Sequence, residues 1–523
     1  MRLRTSTILA AAIALPSAAL AETELVMPQQ DEPRTLSPAP SSDTGGHGPT
    51  SNVYSHLVVM DWGIVDGVAA YGDLADSWEV SEDATTYTFN LNTDAKWHDG
   101  EDVTSEDVKF TYERIMEKGY TFSSFLRDVK SIETPDDDTV VITLDKPNMA
   151  FLPMMAQGAQ WTGKIYPEHL WADQEGFDTG PYVNEPVGSG PFKFVRWDRG
   201  SAVVLEANEE YFRGAPNVDK LIFRTIPDAN VARAEFEAGQ FPYLPFNYAP
   251  PLAEAPIFEA DPNINVVYTP SHFSRDLQLN LNHEALGNPK VREAIAYAMD
   301  REQMNKLAFN NSWTPGYYAG VSSLQKWVNE DARFPGHDAE KAEALLDEAG
   351  FPRGDDGWRF SVKVTGPNIS DCSAITEILV RQLREVGIEA ELDRFDQSTW
   401  FSRIQDKQFD ISCYFGRYGP DPDAYREHFS TDGARNFMSY SDAELDQLAA
   451  EANTVSDEAT RKEMYDRIQE IVVRDMPYIN VFEEQKTSLV RPGWSGFAVM
   501  PDGFNKSISW FGVYGVTGPD DAG

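Results

Sequence analysis

Residues 360–423 read FSVKVTGPNISDCSAITEILVRQLREVGIEAELDRFDQSTWFSRIQDKQFDISCYFGRYGPDPD. Short apolar runs alternate here with amphipathic stretches long enough for helices. The pattern predicts strand Phe360 to Val364, helix Ser373 to Val386, strand Ile388 to Leu392, helix Thr399 to Gln405 and strand Phe409 to Tyr414. Helices at Val291 to Leu307 and Ala339 to Ala349 precede this block, and helices at Glu444 to Asn453 and Thr460 to Val473 follow it. Such alternation is the signature of an α/β fold whose strands pair in parallel through right-handed crossovers, with ligands beyond the carboxyl ends of the strands. The loop from Cys413 to Asp423 lies at such an end. Its Tyr414, Phe415, Gly416, Arg417, Tyr418, Asp421 and Asp423, together with Trp400, are therefore candidate ligand-binding residues.

The first part of the chain reads differently. Thr85 to Leu91 (TTYTFNL) is rich in β-branched and aromatic residues and leads to the turn His98-Asp99-Gly100, as a strand would. Thr104 and Asp107 form a capping-box pair ahead of an amphipathic helix through Val108, Tyr112 and Ile115 that ends near Gly119. Val140 to Leu144 is a further strand. Six prolines between Phe241 and Pro262 exclude a long helix there, and strand Ile264 to Tyr268 closes that stretch.

Composition narrows the function. The 523 residues carry 44 Lys+Arg against 84 Asp+Glu, a formal charge of −40, with a mean hydropathy of −0.44. A chain of that length fits two or three packed lobes. Its negative field disfavours nucleic acid and anionic lipid, which bind by releasing counterions to Lys and Arg. Beyond the N-terminus no apolar run reaches the length a membrane span needs. At the N-terminus, Arg2 and Arg4 precede an apolar stretch from Ile8 to Leu20, and Ala19-Leu20-Ala21 supplies a small-x-small site. Residues 1–21 thus read as a signal peptide cleaved after Ala21, with no cysteine nearby for a lipid anchor, and the product is expected in a periplasm.

A search for chemistry finds little. HExxH, GxSxG and CxxC are absent, and the eight histidines show no metal-ligand helical spacing. Gly158 to Lys164 imitates a phosphate-binding loop, but Ile165 stands where the Mg²⁺-binding hydroxyl belongs. No catalytic residue, metal or cofactor is assigned. An exported hydrolase is the rival class that these absences disfavour. Cys372 and Cys413, the only two cysteines, are either a disulfide or two buried thiols. The bridge is expected from the neighbouring strand ends Phe360 to Val364 and Phe409 to Tyr414.

The run from Leu74 to Leu91 (LADSWEVSEDATTYTFNL), followed by Lys96 to Phe110 (KWHDGEDVTSEDVKF), resembles the signature segment of the family 5 extracellular solute-binding proteins, which serve oligopeptide, dipeptide and nickel ABC importers. Pro186 to Phe194 (PVGSGPFKF), Asn208 to Pro216 (NEEYFRGAP), Pro289 to Arg301 (PKVREAIAYAMDR) and Ala342 to Gly350 (AEALLDEAG) are further similar segments, in order along the chain. The resemblance implies a two-lobe periplasmic binding protein (type II, cluster C-like) with an extra subdomain inserted in lobe I. Lobe I is placed at 22–57, 187–269 and 490–523, the inserted subdomain at 58–186 and lobe II at 270–489. Crossings fall near Thr269 to His272 and near Lys486 to Arg491. The implied function is capture of a peptide-like solute and its delivery to an ABC permease in the inner membrane, by a monomer that does no catalysis. A sensor that signals to a receptor is a further alternative.

Family members that hold a peptide by its free amine place an aspartate after the Phe-Asp strand. Here that position falls on Tyr418 or Gly419, and neither is a carboxylate. Cys413 replaces an arginine of some oligopeptide binders, and Asp423 stands where a nickel-binding relative has histidine. Asp421, Asp423 or Asp276 must then supply the charge for a peptide. The alternative is an uncharged ligand such as an oligosaccharide stacked on Trp400, Tyr414, Phe415 and Tyr418.

Overall fold

The computed structural model describes residues 23–40, 44–60, 70–249, 252–320, 323, 325–417, 421–497 and 515–518. The expected signal peptide and its cleavage after Ala21 lie outside these residues.

Strand propensity and alternation build the first region. Ala75–Val80, Thr86–Leu91, Thr139–Leu144 and Val129–Asp136 form an antiparallel sheet in that order. Tyr87, Phe89 and Leu91 alternate inward beside Val140, Ile142 and Leu144, the period-2 pattern of a half-buried sheet. Helix Ser105–Lys118 starts at the Thr104/Asp107 capping box and ends at Gly119, whose left-handed φ of 65° a side chain would oppose. A second sheet joins Glu24–Gln29, Lys220–Thr225, Ala202–Ala207 and Phe192–Asp198. Both sheets feed one core, with Leu25, Phe89, Phe192 and Phe223 fully buried in it. The segment imitating a phosphate loop starts inside helix Phe151–Thr162, so no cradle of backbone N–H groups forms there.

The second region is the α/β block. Its sheet runs Tyr243–Leu244, Tyr478–Val490, Asn265–Leu279, Ile411–Arg417, Phe360–Pro367, Ile388–Phe395, with Thr314–Pro315 beside Tyr478–Val490. Phe360–Pro367 pairs in parallel with both Ile388–Phe395 and Ile411–Arg417, as expected. The sheet is nevertheless mixed, because Ile411–Arg417 runs antiparallel to Asn265–Leu279 on its other side.

Two other expectations are corrected. The strand expected at Ile264 to Tyr268 spans 15 residues, Asn265–Leu279. Its pairing with Tyr478–Val490 slips between Pro270 and Ser274 and again at Arg275/Asp276. Proline has no N–H to continue a ladder, so a slip at Pro270 is where chemistry places one. The helix expected over Val291 to Leu307 is two helices, Pro289–Ala298 and Arg301–Phe309. Met299 leaves helical geometry at ψ 111°, and the Asp300 carboxylate restarts the helix by accepting the Gln303 N–H at 2.8 Å.

This block has its own core, including Leu277, Ile295, Leu379, Ile411 and Val481. A small cluster of Ile226, Phe236, Phe241, Leu244 and Leu489 lies where the long strands leave it. Two separate cores are thus joined through Asn265–Leu279 and Tyr478–Val490, each of which supplies residues to more than one cluster.

Candidate functional site

The carboxyl ends of Phe360–Pro367, Ile388–Phe395 and Ile411–Arg417 share one edge of the mixed sheet, where the sequence places the site. Cys372, in the first turn of helix Ser370–Glu385, is bonded to Cys413 of Ile411–Arg417, with Cα atoms 5.9 Å apart. The bridge ties this helix N-terminus to the strand below it. Gly366 lies beside it: a Cβ there would make ordinary contacts, 3.4 Å from Thr376 and within 4 Å of both cysteine Cβ atoms.

Asp371, next to Cys372, accepts the Arg275 Nε–H at 2.7 Å, and Arg275 Nη2 donates to Glu484 at 3.2 Å. The remaining nitrogen donates to the Ser274 carbonyl at 3.1 Å. The guanidinium lies over Phe415, 4.6 Å from the ring centre, and 5.4 Å from Trp313. Lys486 pairs with Glu484 and covers the Phe246 ring at 4.8 Å. Two carboxylates and two cations therefore balance in a largely buried cluster, the condition under which buried charge is tolerated. Sequence reasoning missed these four residues. They lie up to 211 positions apart (Arg275 to Lys486), and the one local hint is the charged Arg275-Asp276 pair inside a strand.

The candidate aromatic residues pack largely on one another. Trp400 is 2% and Tyr414 3% exposed, in a cluster with Ile404, Phe409 and Phe437. The Trp400 indole donates to Ser412 Oγ at 3.1 Å, its ring lies 6.0 Å from Tyr414 and 5.6 Å from Phe415, and Tyr414 is 6.1 Å from Phe437. Burial pushes the Tyr414 hydroxyl up, partly offset by Arg435. Phe415 is only partly buried and touches both this cluster and the main core of the block. Gly416 is buried opposite Ser274, and Arg417 makes the last rung, opposite Phe273. The Arg417 side chain and Tyr418 lie outside the described residues. Asp276, fully buried, stands opposite Tyr414 in register.

The acids of the loop are engaged. Asp421 receives two bonds from Arg461, at 2.7 and 2.6 Å, with both side chains nearly inaccessible. Burial lowers the Arg461 pKa, but Asp421 more than compensates and holds it above the usual arginine value. Asp421 also accepts the Asp423 N–H at 2.9 Å, and Asp423 is bonded twice by Arg426, at 3.1 and 2.8 Å. Among the described residues no group of three His, Cys, Asp or Glu side chains is placed to hold a metal, and no helix is long and apolar enough to cross a membrane.

Two cores joined by long shared strands, with buried charge along one sheet edge, define a two-lobe α/β binding protein. The model of the bacterial extracellular solute-binding proteins, family 5 (middle), matches residues 69–437, and the chain belongs to that family. It is similar to the glutathione-binding protein GsiB of Escherichia coli K12, 27% identical over 503 residues that cover 93% of this chain and 94% of the relative. Among solved structures, HbpA2 of Haemophilus parasuis superposes with a TM-score of 0.83 at 26% identity, covering 95% of this chain and 99% of that one. AgaA of A. tumefaciens R10, solved in complex with agropinic acid, gives 0.72 at 27%, covering 95% and 98%. The chain is thus a solute-binding component of an ABC importer.

Proposed function

We propose that the protein captures a small peptide-like or amino-acid-derived solute in the periplasm and hands it to an inner-membrane ABC permease, working as a monomer and without catalysis. Lobe I comprises 22–57, 187–269 and 490–523 with the subdomain 58–186 inserted, and lobe II comprises 270–489. The observation that carries this reading is the pair of long strands linking two separate cores, with their register slip at Pro270/Ser274. A slip in a two-strand connection is a place where a hinge can bend, and closure around a bound solute is the motion such connections serve.

The ligand class follows from what the edge offers. Asp421 and Asp423 are each committed to an arginine, so a free ammonium that displaced either would leave an arginine unpaired, at a cost above what the new bond returns. A solute with polar groups spread along its length, like those that GsiB and AgaA are named for binding, fits this edge better than one anchored by its terminal amine alone. The oligosaccharide reading has less support, since Trp400 and Tyr414 turn their rings to each other and to Phe437. Titration calorimetry with glutathione, agropinic acid, unmodified dipeptides and a linear oligosaccharide tests the reading. Binding of glutathione or agropinic acid with no heat from the sugar supports it, and tight sugar binding would overturn it.

A further inference from the structure

Helix Phe151–Thr162 of the inserted subdomain has no capping side chain at its N-cap, Ala150, whose N–H is shared between Asn148 Oδ1, two residues earlier, and an acceptor from elsewhere in the chain, each at 3.1 Å. The first N–H groups of any helix need acceptors. Part of that need is met from the other lobe. Asn453, the residue that ends helix Ala443–Ala452, accepts the Met149 N–H on its backbone carbonyl at 2.9 Å and the Ala150 N–H on Oδ1 at 3.1 Å. Met149 and Ala150 belong to the subdomain, more than 300 positions earlier in the chain. The contact is separate from both strand crossings.

Asn453 is also close to the candidate site. Arg461 donates to the carbonyl of Ala452, the preceding residue, at 2.9 Å, and with its other nitrogens holds Asp421. Asp421 opens the turn just past the carboxyl end of Ile411–Arg417. On the subdomain side Tyr87 donates to the Asn148 carbonyl at 2.7 Å and packs on Phe151, 5.0 Å between rings, so the segment presented to Asn453 is held firmly. A line of hydrogen bonds therefore runs from the subdomain through Asn453, Ala452 and Arg461 to the acid beside the candidate site.

The geometry points to Asn453 as an affinity-determining residue: it is a latch across the cleft, and its bonds to Met149 and Ala150 stabilise the closed arrangement of the lobes. The inference rests on the two-lobe reading above, but not on which solute binds. Because Oδ1 sits at the positive end of a helix, the residue has a signed series of replacements. A carboxylate at 453 keeps the acceptor and adds favourable charge. A methyl group removes the branch of the shared bond that crosses between the lobes and leaves the Ala150 N–H to Asn148 alone. An ammonium meets the N-terminus with like charge.

The latch is tested without a ligand, and a bound solute serves only as the control for closure. Spin labels are placed at Lys130→Cys in the subdomain and Glu391→Cys in lobe II, both exposed, with the native cysteines occupied in their bridge. Double electron–electron resonance then reads the lobe separation in the otherwise native protein and with Asn453→Asp, Asn453→Ala and Asn453→Lys, each checked for folding by circular dichroism. The expected result is a separation that lengthens from Asp to Ala to Lys, with closure weakened roughly threefold to tenfold by loss of the side-chain bond. A distribution in Asn453→Lys that matches the native one, or is shorter, would overturn the latch. If the labels report one fixed distance in every variant and in the presence of a solute shown to bind by calorimetry, it is the two-lobe closure that fails.

Discussion

The antiparallel sheet of residues 75–144 and the carboxyl edge of the mixed sheet handle polar groups in different ways. In the first region the sheet of residues 75–144 is antiparallel, its inward positions are apolar, and its ion pairs lie largely at the surface, as with Lys96 and Asp102. At the carboxyl edge of the mixed sheet, Arg275, Asp371, Glu484, Asp421 and Arg461 are mostly or wholly withdrawn from water. Charge is expensive to bury and adds little net stability over well-packed apolar residues. The first core also buries charged side chains, as at Asp73, Asp107 and Lys164, whereas this edge gathers them into networks of arginines and carboxylates, which marks a place where polar chemistry, and not stability alone, sets the residues.

The largest loss is expected at Arg461. Arg461→Ala leaves Asp421 buried without its cation, with only the Asp423 N–H still bonded to it, and is expected to cost about 3 to 5 kcal/mol. Urea unfolding followed by tryptophan fluorescence measures it. A loss comparable to that of an exposed pair, such as Lys96→Ala, would show that the edge is no more demanding than the surface of the first region. Removing the bridge is next. The double variant Cys372→Ala/Cys413→Ala opens a loop of 41 residues, and roughly 2 to 4 kcal/mol should be lost. Because Asp371 adjoins Cys372 and holds Arg275, calorimetry on this variant should also show weaker solute binding than its stability loss alone explains.

Acid sharpens the contrast between regions, since each holds a histidine kept neutral by burial. Burial brings His98 down to about 4 and His428 down to about 3. Both folded values lie below the ordinary value near 6.5, so each contributes stability that is present above that pH and is lost as pH falls toward the folded value. The slope approaches about 1.4 kcal/mol per pH unit for each histidine. His98→Gln should flatten the acid limb of the first region's unfolding and His428→Gln that of the α/β block, read as urea midpoints from pH 7 to 4. Unchanged limbs in both would mean that the histidines are not what acid attacks.

Legibility differed between the regions for physical reasons. Helix Ser105–Lys118 could be placed within a residue because its start and stop are local: a capping pair four residues wide and a glycine at the end. The strands of the α/β block were found by pattern, and the proximity of Cys372 and Cys413 followed from strand neighbours. The length of Asn265–Leu279 was hidden, because Pro270 and the polar residues after it break the alternation and pairing partners more than 130 positions away hold the strand together. The charge cluster at the edge is similarly non-local. Arg275, Asp371 and Glu484 share no window of sequence, and only the folded sheet brings them together.

The smallest expected effect concerns the missed helix break, where the signal was local after all. Asp300 followed by Gln303 is an N-cap pattern, and the Asp300 side chain is the cap observed. Thr104 with Asp107 is the same kind of signal in the first region. Asp300→Ala and Thr104→Ala should each cost about 1 kcal/mol. What separates them is where the loss is felt. Asp300 starts a helix packed in the core of the α/β block, through Met304 and Phe309, whereas Thr104 starts one in the first core, through Val108 and Tyr112. If the two cores unfold as separate units, hydrogen exchange should speed up in residues 301–309 and their neighbours for Asp300→Ala, and in residues 105–118 and theirs for Thr104→Ala. Exchange accelerated equally throughout in both variants would mean that the linking strands make the cores one cooperative unit, and the hinge would then have to bend without uncoupling the lobes it joins.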